Sequence, residues 1–197
     1  MADAATARPG RPAAATRDEA LALATRRLLA SERVDVQAIA RELGLARATM
    51  HRWFGTREGL LGEVLANLGE ERLLAIRREI PGGGPKALLE CFDRFNREVS
   101  ATRGLGVLLA QEQERAMRIL ISSAGAVQPR MVALIEKLLN DEIEAGRFAP
   151  AIAPPTLAYA IVRLAESFIY NDAIVGILGD TERLREVETV LLGVDSR

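Results

Sequence analysis

The most informative part of the chain runs from residue 34 to residue 61 and reads VDVQAIARELGLARATMHRWFGTREGLL. Apolar residues recur at helical spacing from Val36 to Leu43, which predicts a short amphipathic helix with one buried face. Gly44 follows, and glycine readily takes the left-handed backbone conformation that a tight turn needs. A second helix is predicted over residues 46–54, so the segment has the spacing of a helix-turn-helix.

The second of these helices is predicted to have two chemically different faces. At 100° per residue, Met50 and Phe54 share one apolar face with Trp53, which would pack on the rest of the module. The opposite face and its flank carry Arg47, Ala48, Thr49, His51 and Arg52. No acidic residue occurs between Glu42 and Glu58, so this side is a compact basic patch that is free to meet DNA.

This segment resembles the DNA-binding signature of the TetR family of transcriptional repressors. The resemblance is carried by residues 36–45, 49–54 and 57–61, whose order and spacing both match the family pattern. It implies a homodimer that binds operator DNA and is released by a small, mostly apolar ligand.

Four positions depart from the usual family pattern. The family usually has Tyr at His51, Lys at Arg57, and Ser or Thr at both Ala46 and Asp35. Asp35 can still cap the N-terminus of a helix, but its negative charge makes it a poor contact for phosphate.

The resemblance also implies a role for each exposed residue. Base-edge contacts are expected from Arg47, Ala48 and His51, and phosphate contacts from Thr49, Arg52 and Arg57. An arginine at Arg47 can donate two hydrogen bonds to guanine, and Ala48 can touch a thymine methyl group. Arg57 would open the next helix, where free backbone N–H groups also attract phosphate. The alternatives are that the arginines are ordinary solvated charges and that His51 is a core or pH-sensing residue.

Composition limits the possible functions. The net charge of the whole chain is −1, so DNA binding must rest on a local patch. Residues 1–60 hold ten Arg and seven acids, whereas residues 61–197 hold sixteen basic and twenty acidic residues; such a mild asymmetry can also arise without function. With a single Cys91 and no long apolar run, we expect no internal disulfide, no membrane span and a cytoplasmic location.

The remaining sequence predicts an all-α fold of about nine helices. Helix breakers divide it, and the strongest, Pro81–Pro85, is interpreted as a linker. No convincing strand alternation appears. We expect a flexible N-terminal arm over residues 1–16, a helix-turn-helix DNA-binding domain over residues 17–62, and a helical ligand-binding and dimerisation domain over residues 63–197.

The resembled family pairs its last two helices with those of a second copy, and it holds its ligand between the helices that follow the linker. The expected dimer interface is Ile161, Leu184, Val187 and Leu191. The expected cavity walls are Phe92, Phe95, Met117, Phe168 and Tyr170, with Asn96, Glu166 and Asn171 as polar groups. Each of these residues could instead be ordinary core.

Residues 125–130 and 163–170 look similar to the QsdR-type subgroup, which regulates degradation of lactone quorum-sensing signals. That likeness suggests a lactone or a related acyl compound as ligand. An enzyme is not expected, because His51 and Cys91 lie in different modules and no nucleophile or phosphate-binding motif is present. No cofactor and no metal are expected, since His51 has no other ligands nearby. The alternative function is a helical adaptor that binds proteins and not DNA.

Overall fold

The computed structural model describes residues 15–171 and 180–194. These residues form ten α-helices and no strand, so the predicted all-α class is confirmed. The helices are α1 (Arg17–Leu29), α2 (Val36–Glu42), α3 (Arg47–Phe54), α4 (Arg57–Glu79), α5 (Gly84–Ser100), α6 (Arg103–Gln111), α7 (Gln113–Ile121), α8 (Val127–Glu144), α9 (Pro154–Glu166) and α10 (Thr181–Leu191). Most of the expected N-terminal arm lies outside the described residues.

The helix-turn-helix is formed by α2 and α3 and by the turn between them. The Asp35 carboxylate accepts a hydrogen bond of 2.8 Å from the backbone N–H of Ala38 and caps α2. Gly44 has a φ of 64°, the left-handed conformation expected for this turn. Thr56 caps the following helix α4 through the N–H of Gly59. Both helices and the turn therefore form where the sequence predicts them.

Helix α1 holds this module together. Its buried stripe includes Leu21, Ala24 and Leu28, the positions that the helical periodicity selected. Thr16 and Glu19 form a reciprocal capping box at its N-terminus. Because α1 packs against α2, α4 and α6, it connects the helix-turn-helix to the rest of the protein.

Helix α4 runs without interruption from the helix-turn-helix into the larger group of helices. It contacts α1 and α3 of the smaller module and also α5, α7 and α8 of the larger group. The boundary expected between residues 62 and 63 therefore falls inside a continuous helix. A movement of α4 would therefore displace residues on both sides of that boundary.

The glycine-rich segment that links α4 to α5 is a short turn held by hydrogen bonds to side chains. The buried carboxylate of Glu142 accepts hydrogen bonds from the N–H of Gly84 and from Arg77 and Arg147, each at 2.7 Å. The bond from Arg147, with help from Gly84 and Arg77, lowers the pKa of Glu142 to about 2. Gly84 has a φ of 78°, which a residue with a Cβ rarely adopts.

The structure has ten helices where about nine were expected, because one break between helices is not visible in the composition. Helices α6 and α7 are separated at Glu112, which has φ of −137° and ψ of 46°, with neither glycine nor proline beside it. Farther along, α9 continues into a π-helical turn at residues 167–171. Such turns often occur at functional sites.

Candidate nucleic-acid interface and ligand cavity

The outer face of α3 presents the predicted base-contacting residues to solvent. Arg47, Ala48, His51 and Arg52 are exposed, and Thr49 is half-buried. On the inner face, Met50 and Phe54 are buried. The helix therefore divides into an apolar inner side and a basic outer side, in the arrangement that a major-groove helix requires.

Aromatic contacts and an ion pair fix the orientation of α3. The rings of Trp53 and Phe54 meet edge to face with centroids 6.1 Å apart. The guanidinium of Arg17 lies 5.0 Å from the centroid of Phe54 and also pairs with Glu63 on α4. Arg17 thus supports the helix from behind and does not belong to its basic outer side.

Arg57 differs from the other expected DNA contacts because its charge is already paired. Its guanidinium donates two hydrogen bonds to Glu112, of 2.6 and 2.8 Å, and a third to the carbonyl of Val34. Only 15% of its side chain is exposed. Glu112 therefore competes with any phosphate for the charge of Arg57.

Arg57 and Glu112 belong to a larger cluster of charges between α4 and the α6–α7 junction. Arg115 pairs with both Glu58 and Glu112, at 2.6 and 2.7 Å. The hydrogen bonds from Arg57 are the main cause of a lowered pKa at Glu112. This charge cluster joins the start of α4 to helices outside the helix-turn-helix.

A cavity with two adjoining compartments lies among the later helices. The inner compartment, of about 50 Å³, is enclosed by α5, α8, α9, the π-helical turn and α10. The outer compartment, of about 340 Å³, extends to α1, α4, α6 and α7. Five residues line both compartments: Phe95, Val99, Val127, Met131 and Tyr170.

The structure brings five of the eight expected ligand-binding residues to this cavity: Phe92, Phe95, Asn96, Glu166 and Tyr170. Met117 and Phe168, which were also expected, do not line either compartment. Met117 packs against the core from α7, and Phe168 follows the exposed Ser167 on the π-helical turn. The side chain of Asn171 lies outside the described residues.

The polar end of the inner compartment contains two buried carboxyl groups. Glu188 accepts a 3.0 Å hydrogen bond at Oε1 from the Asn96 amide, and Glu166 accepts a 2.7 Å bond at Oε2 from Arg163. The other oxygen of each group, Glu188 Oε2 and Glu166 Oε1, is buried without a hydrogen-bond partner among the described residues. Burial is the main cause of raised pKa values at both groups, to about 8 for Glu188.

Sequence reasoning missed Glu188 and Gln128 as cavity residues. Glu188 follows Leu184 by four positions, so it lies on the apolar stripe of α10, and a lone acid there was the available signal. Gln128 had no comparable signal, because it is the second residue of α8 and its burial depends on the neighbouring helices.

Two of the four expected dimer residues are core residues instead. Ile161 and Leu184 are 1% and 0% exposed, because α9 and α10 turn these side chains into their own protomer. Val187 and Leu191 are half-buried. The large apolar side chains that α9 and α10 do expose are Tyr159 (53%) and Val190 (77%).

Metal-ligand groups and membrane-spanning helices are both absent from the described residues. These residues contain no group of three or more His, Cys, Asp and Glu side chains placed to hold a metal ion. Within the same residues, no helix is both long and apolar enough to span a bilayer.

Comparisons with known proteins agree with this architecture. Residues 83–193, more than half of the chain, match the family model described as tetracyclin repressor-like, C-terminal domain. The transcriptional repressor QsdR of the TetR family from R. erythropolis is 28% identical and superposes with a TM-score of 0.84, over 92% of this chain and 96% of its own. The TetR family repressor AlkX from Dietzia sp. strain DQ12-45-1b, implicated in biodegradation of n-alkanes, is 25% identical with a TM-score of 0.57, over 88% and 95%. No curated protein sequence matches the chain significantly.

Proposed function

The chain belongs to the TetR family of transcriptional regulators, and from that premise we propose that it is a repressor, a homodimer that releases operator DNA when a small, mostly apolar ligand enters its cavity. The observation that carries this proposal is the basic outer side of α3, where Arg47, His51 and Arg52 are exposed. Two such helices in a dimer would enter successive major-groove faces about 34–36 Å apart.

The contacts with DNA divide into specific and general ones. Arg47 lies at the start of α3 and can reach O6 and N7 of a guanine, while Ala48 and His51 meet neighbouring base edges. Thr49 and Arg52 hold phosphates, which positions the helix without reading sequence. Arg57 adds a phosphate contact when its ion pair with Glu112 is broken.

The dimer forms through α9 and α10. These two helices pack against each other and expose Tyr159 and Val190, with Val187 and Leu191 beside them half-buried. Apolar side chains this large are commonly covered by a partner surface when they lie together. Pairing them with the same helices of a second copy gives a symmetric interface.

The ligand acts on α4. Leu65, Leu68 and Arg72 of α4 line the outer compartment, together with Leu28 and Leu29 of α1. A ligand there contacts the same helix whose first residue, Arg57, adjoins the helix-turn-helix. Differential binding to two positions of α4 then changes the spacing of the recognition helices.

The similarity to QsdR and AlkX suggests which ligands to try first. The cavity walls are mostly apolar, and the notable likeness is to a repressor of the QsdR type. We therefore take a lactone or an acyl compound as the starting class. The two carboxyl groups at the polar end restrict this class further.

Fluorescence anisotropy of labelled operator fragments, recovered from genomic DNA by the protein itself, tests the proposal. Affinity should fall steeply with rising salt, because phosphate contacts release counterions. Arg47→Ala should weaken operator binding, whereas Lys137→Ala, which removes an exposed charge on α8, should leave it unchanged. Equal effects of the two variants would contradict the assignment.

Induction is tested by linkage. A ligand that weakens operator binding by some factor must itself bind more weakly by the same factor when operator is present, with a coupling of about 1–3 kcal/mol. Isothermal titration of the ligand with and without operator measures both. A ligand that binds tightly and is indifferent to DNA would refute the release mechanism while leaving DNA binding intact.

A further inference from the structure

The inner compartment ends in polar residues, and two of their buried oxygens have no hydrogen-bond partner among the described residues. Glu188 is 0% exposed and Glu166 is 7% exposed, and both line this compartment. Each carboxyl has one bonded oxygen and one buried oxygen without a partner, Oε2 of Glu188 and Oε1 of Glu166. We refer to Glu166, Glu188 and Asn96 as the acidic end of the cavity.

Unsatisfied buried acceptors are rare in folded proteins. More than about 90% of buried polar groups have a hydrogen-bond partner, so an exception needs an explanation. Here two exceptions occur in one cavity, and each is a carboxyl, the group whose burial is among the most unfavourable. The arrangement is explained if a bound molecule supplies the missing hydrogen-bond partners.

The arginine side chains of α5 and α10 are engaged elsewhere, and Arg163 pairs with Glu166 and not with Glu188. Arg185, on the same helix as Glu188, pairs with Asp93 at 2.7 Å. Arg97 pairs with Asp93 and Glu182. Within residues 15–171 and 180–194, only Asn96 donates to Glu188, and a neutral amide does not balance a carboxylate charge.

The rest of the cavity is mostly apolar, apart from Gln128 in the inner compartment and Thr102, Arg72 and Glu98 at the outer one, where Arg72 and Glu98 pair with each other. Phe92, Ile135 and Ile161 surround the acidic end, and the outer compartment continues with leucines, Val99 and Met131. A ligand that fills both compartments therefore needs a small polar head and an apolar tail. The tail would reach α4, which is where the proposed release mechanism requires contact.

We infer that the ligand of this cavity is an amphipathic molecule whose head donates hydrogen bonds to Glu188 Oε2 and Glu166 Oε1. This inference rests on the proposed function and narrows it: a lactone or acyl compound qualifies only if it carries an N–H or O–H group. A protonated amine is the tightest-binding head, because it supplies both donors and a charge. A fatty-acid carboxylate fits less well, because it offers no donor and has the same charge as Glu166 and Glu188 when these are ionised.

Glu188 changes its proton occupancy when such a head binds. Its raised pKa, about 8, keeps it largely protonated at neutral pH while the cavity lacks a cation. Asp93 on α5 raises this pKa further, whereas Asn96 and Arg185 lower it. An ammonium head stabilises the ionised form, so binding releases a proton.

Four eight-carbon probes separate the head-group chemistries: octylammonium, octan-1-ol, octanoate and γ-octalactone. Calorimetric titration of the full-length protein should give octylammonium an affinity at least about tenfold above octanoate. Octanol should rank between them, and γ-octalactone, which has no donor, should bind more weakly than octanol.

Variants connect this ranking to the acidic end. Glu188→Gln should lower octylammonium affinity by about tenfold and change octanol affinity by less than about threefold. Glu166→Gln should act in the same direction. Glu186→Gln, an exposed position on the same helix, is the matched control and should leave all four affinities unchanged.

Three results would overturn the inference: octanoate or γ-octalactone binding as tightly as octylammonium, an unchanged ranking in Glu188→Gln, or no binding of either octylammonium or octanol at millimolar concentration. Operator binding measured on the same samples keeps the two proposals separate. Operator release by a carboxylate ligand would refute the donor head but support induction. Binding of octylammonium through Glu188 without operator release would support the donor head but refute induction.

Discussion

Glu188→Gln is expected to make the protein more stable at neutral pH and above, by an amount that grows as pH rises. The Glu188 carboxyl is fully buried, and burial, opposed by the Asn96 hydrogen bond, raises its pKa from 4.5 to about 8. Below pH 4.5 the group is protonated in both folded and unfolded chains and costs nothing. Between pH 4.5 and 8 the unfolded chain loses the proton and the folded chain keeps it, so stability falls as pH rises.

The size of the effect follows from that shift. Each pKa unit corresponds to about 1.4 kcal/mol, so the penalty grows from below about 1 kcal/mol at pH 5 to roughly 3 kcal/mol at pH 7. Glutamine removes this titration and keeps an oxygen for Asn96, but it leaves one amide donor unpaired at a cost of about 1–3 kcal/mol. With about 2 kcal/mol for that cost, the variant should be less stable by about 1 kcal/mol at pH 5 and more stable by about 2 kcal/mol at pH 8.

Urea unfolding at pH 5, 6, 7 and 8, at one fixed protomer concentration, measures this difference. Glu142→Gln is the control, since Glu142 is a buried carboxyl whose pKa is shifted in the opposite direction. Its pKa is lowered to about 2, so its stabilisation of the folded protein is present above pH 4.5 and is lost only as pH falls towards 2. This variant should lose about 3 kcal/mol equally at all four pH values. A difference between wild type and Glu188→Gln that stays constant from pH 5 to 8 would refute the account of the acidic end.

Three predictions concern DNA binding and assembly. Arg47→Ala should cost about 1–3 kcal/mol on operator and relax base preference at one position per half-site, whereas Arg52→Ala should weaken all sequences alike; binding to a panel of operator variants checks this, and identical specificity profiles would contradict it. Val190→Arg should place a charge in the dimer seam and give monomers by light scattering; a dimer that binds operator normally would show that this face is free. Glu112→Gln should release Arg57 for phosphate, raising operator affinity by about 1 kcal/mol and steepening the salt dependence by about 0.9 per half-site, and unchanged salt dependence would argue that Arg57 stays out of reach.

Local sequence determines much of the helix-turn-helix. The cap at Asp35, the left-handed Gly44 and the shared face of Met50 and Phe54 all depend on residues within four positions along the chain. Helical periodicity states which side chains share a face, and the α3 segment needs only that information to separate its basic side from its apolar side.

The cavity and the dimer face depend on more than periodicity. Leu184 lies on the apolar stripe of its helix, as Val187 does, yet the position of α10 against α5 and α9 buries Leu184 in its own protomer. Periodicity defines a stripe without saying whether the neighbour across it belongs to the same chain. The exposure of Val190 is decided in the same way, by helix placement.

Contacts between distant residues decided the chemistry. Asn96 and Glu188 are 92 positions apart, and Arg57 and Glu112 are 55 apart. No local pattern pairs such residues, because their approach follows from how whole helices pack. The sequence by itself therefore determined that α3 would be a basic helix after a tight turn. Only the tertiary structure decided that Arg57 is held by a carboxylate and that two carboxyl groups share one apolar cavity, since both results require helices that are remote in sequence to meet.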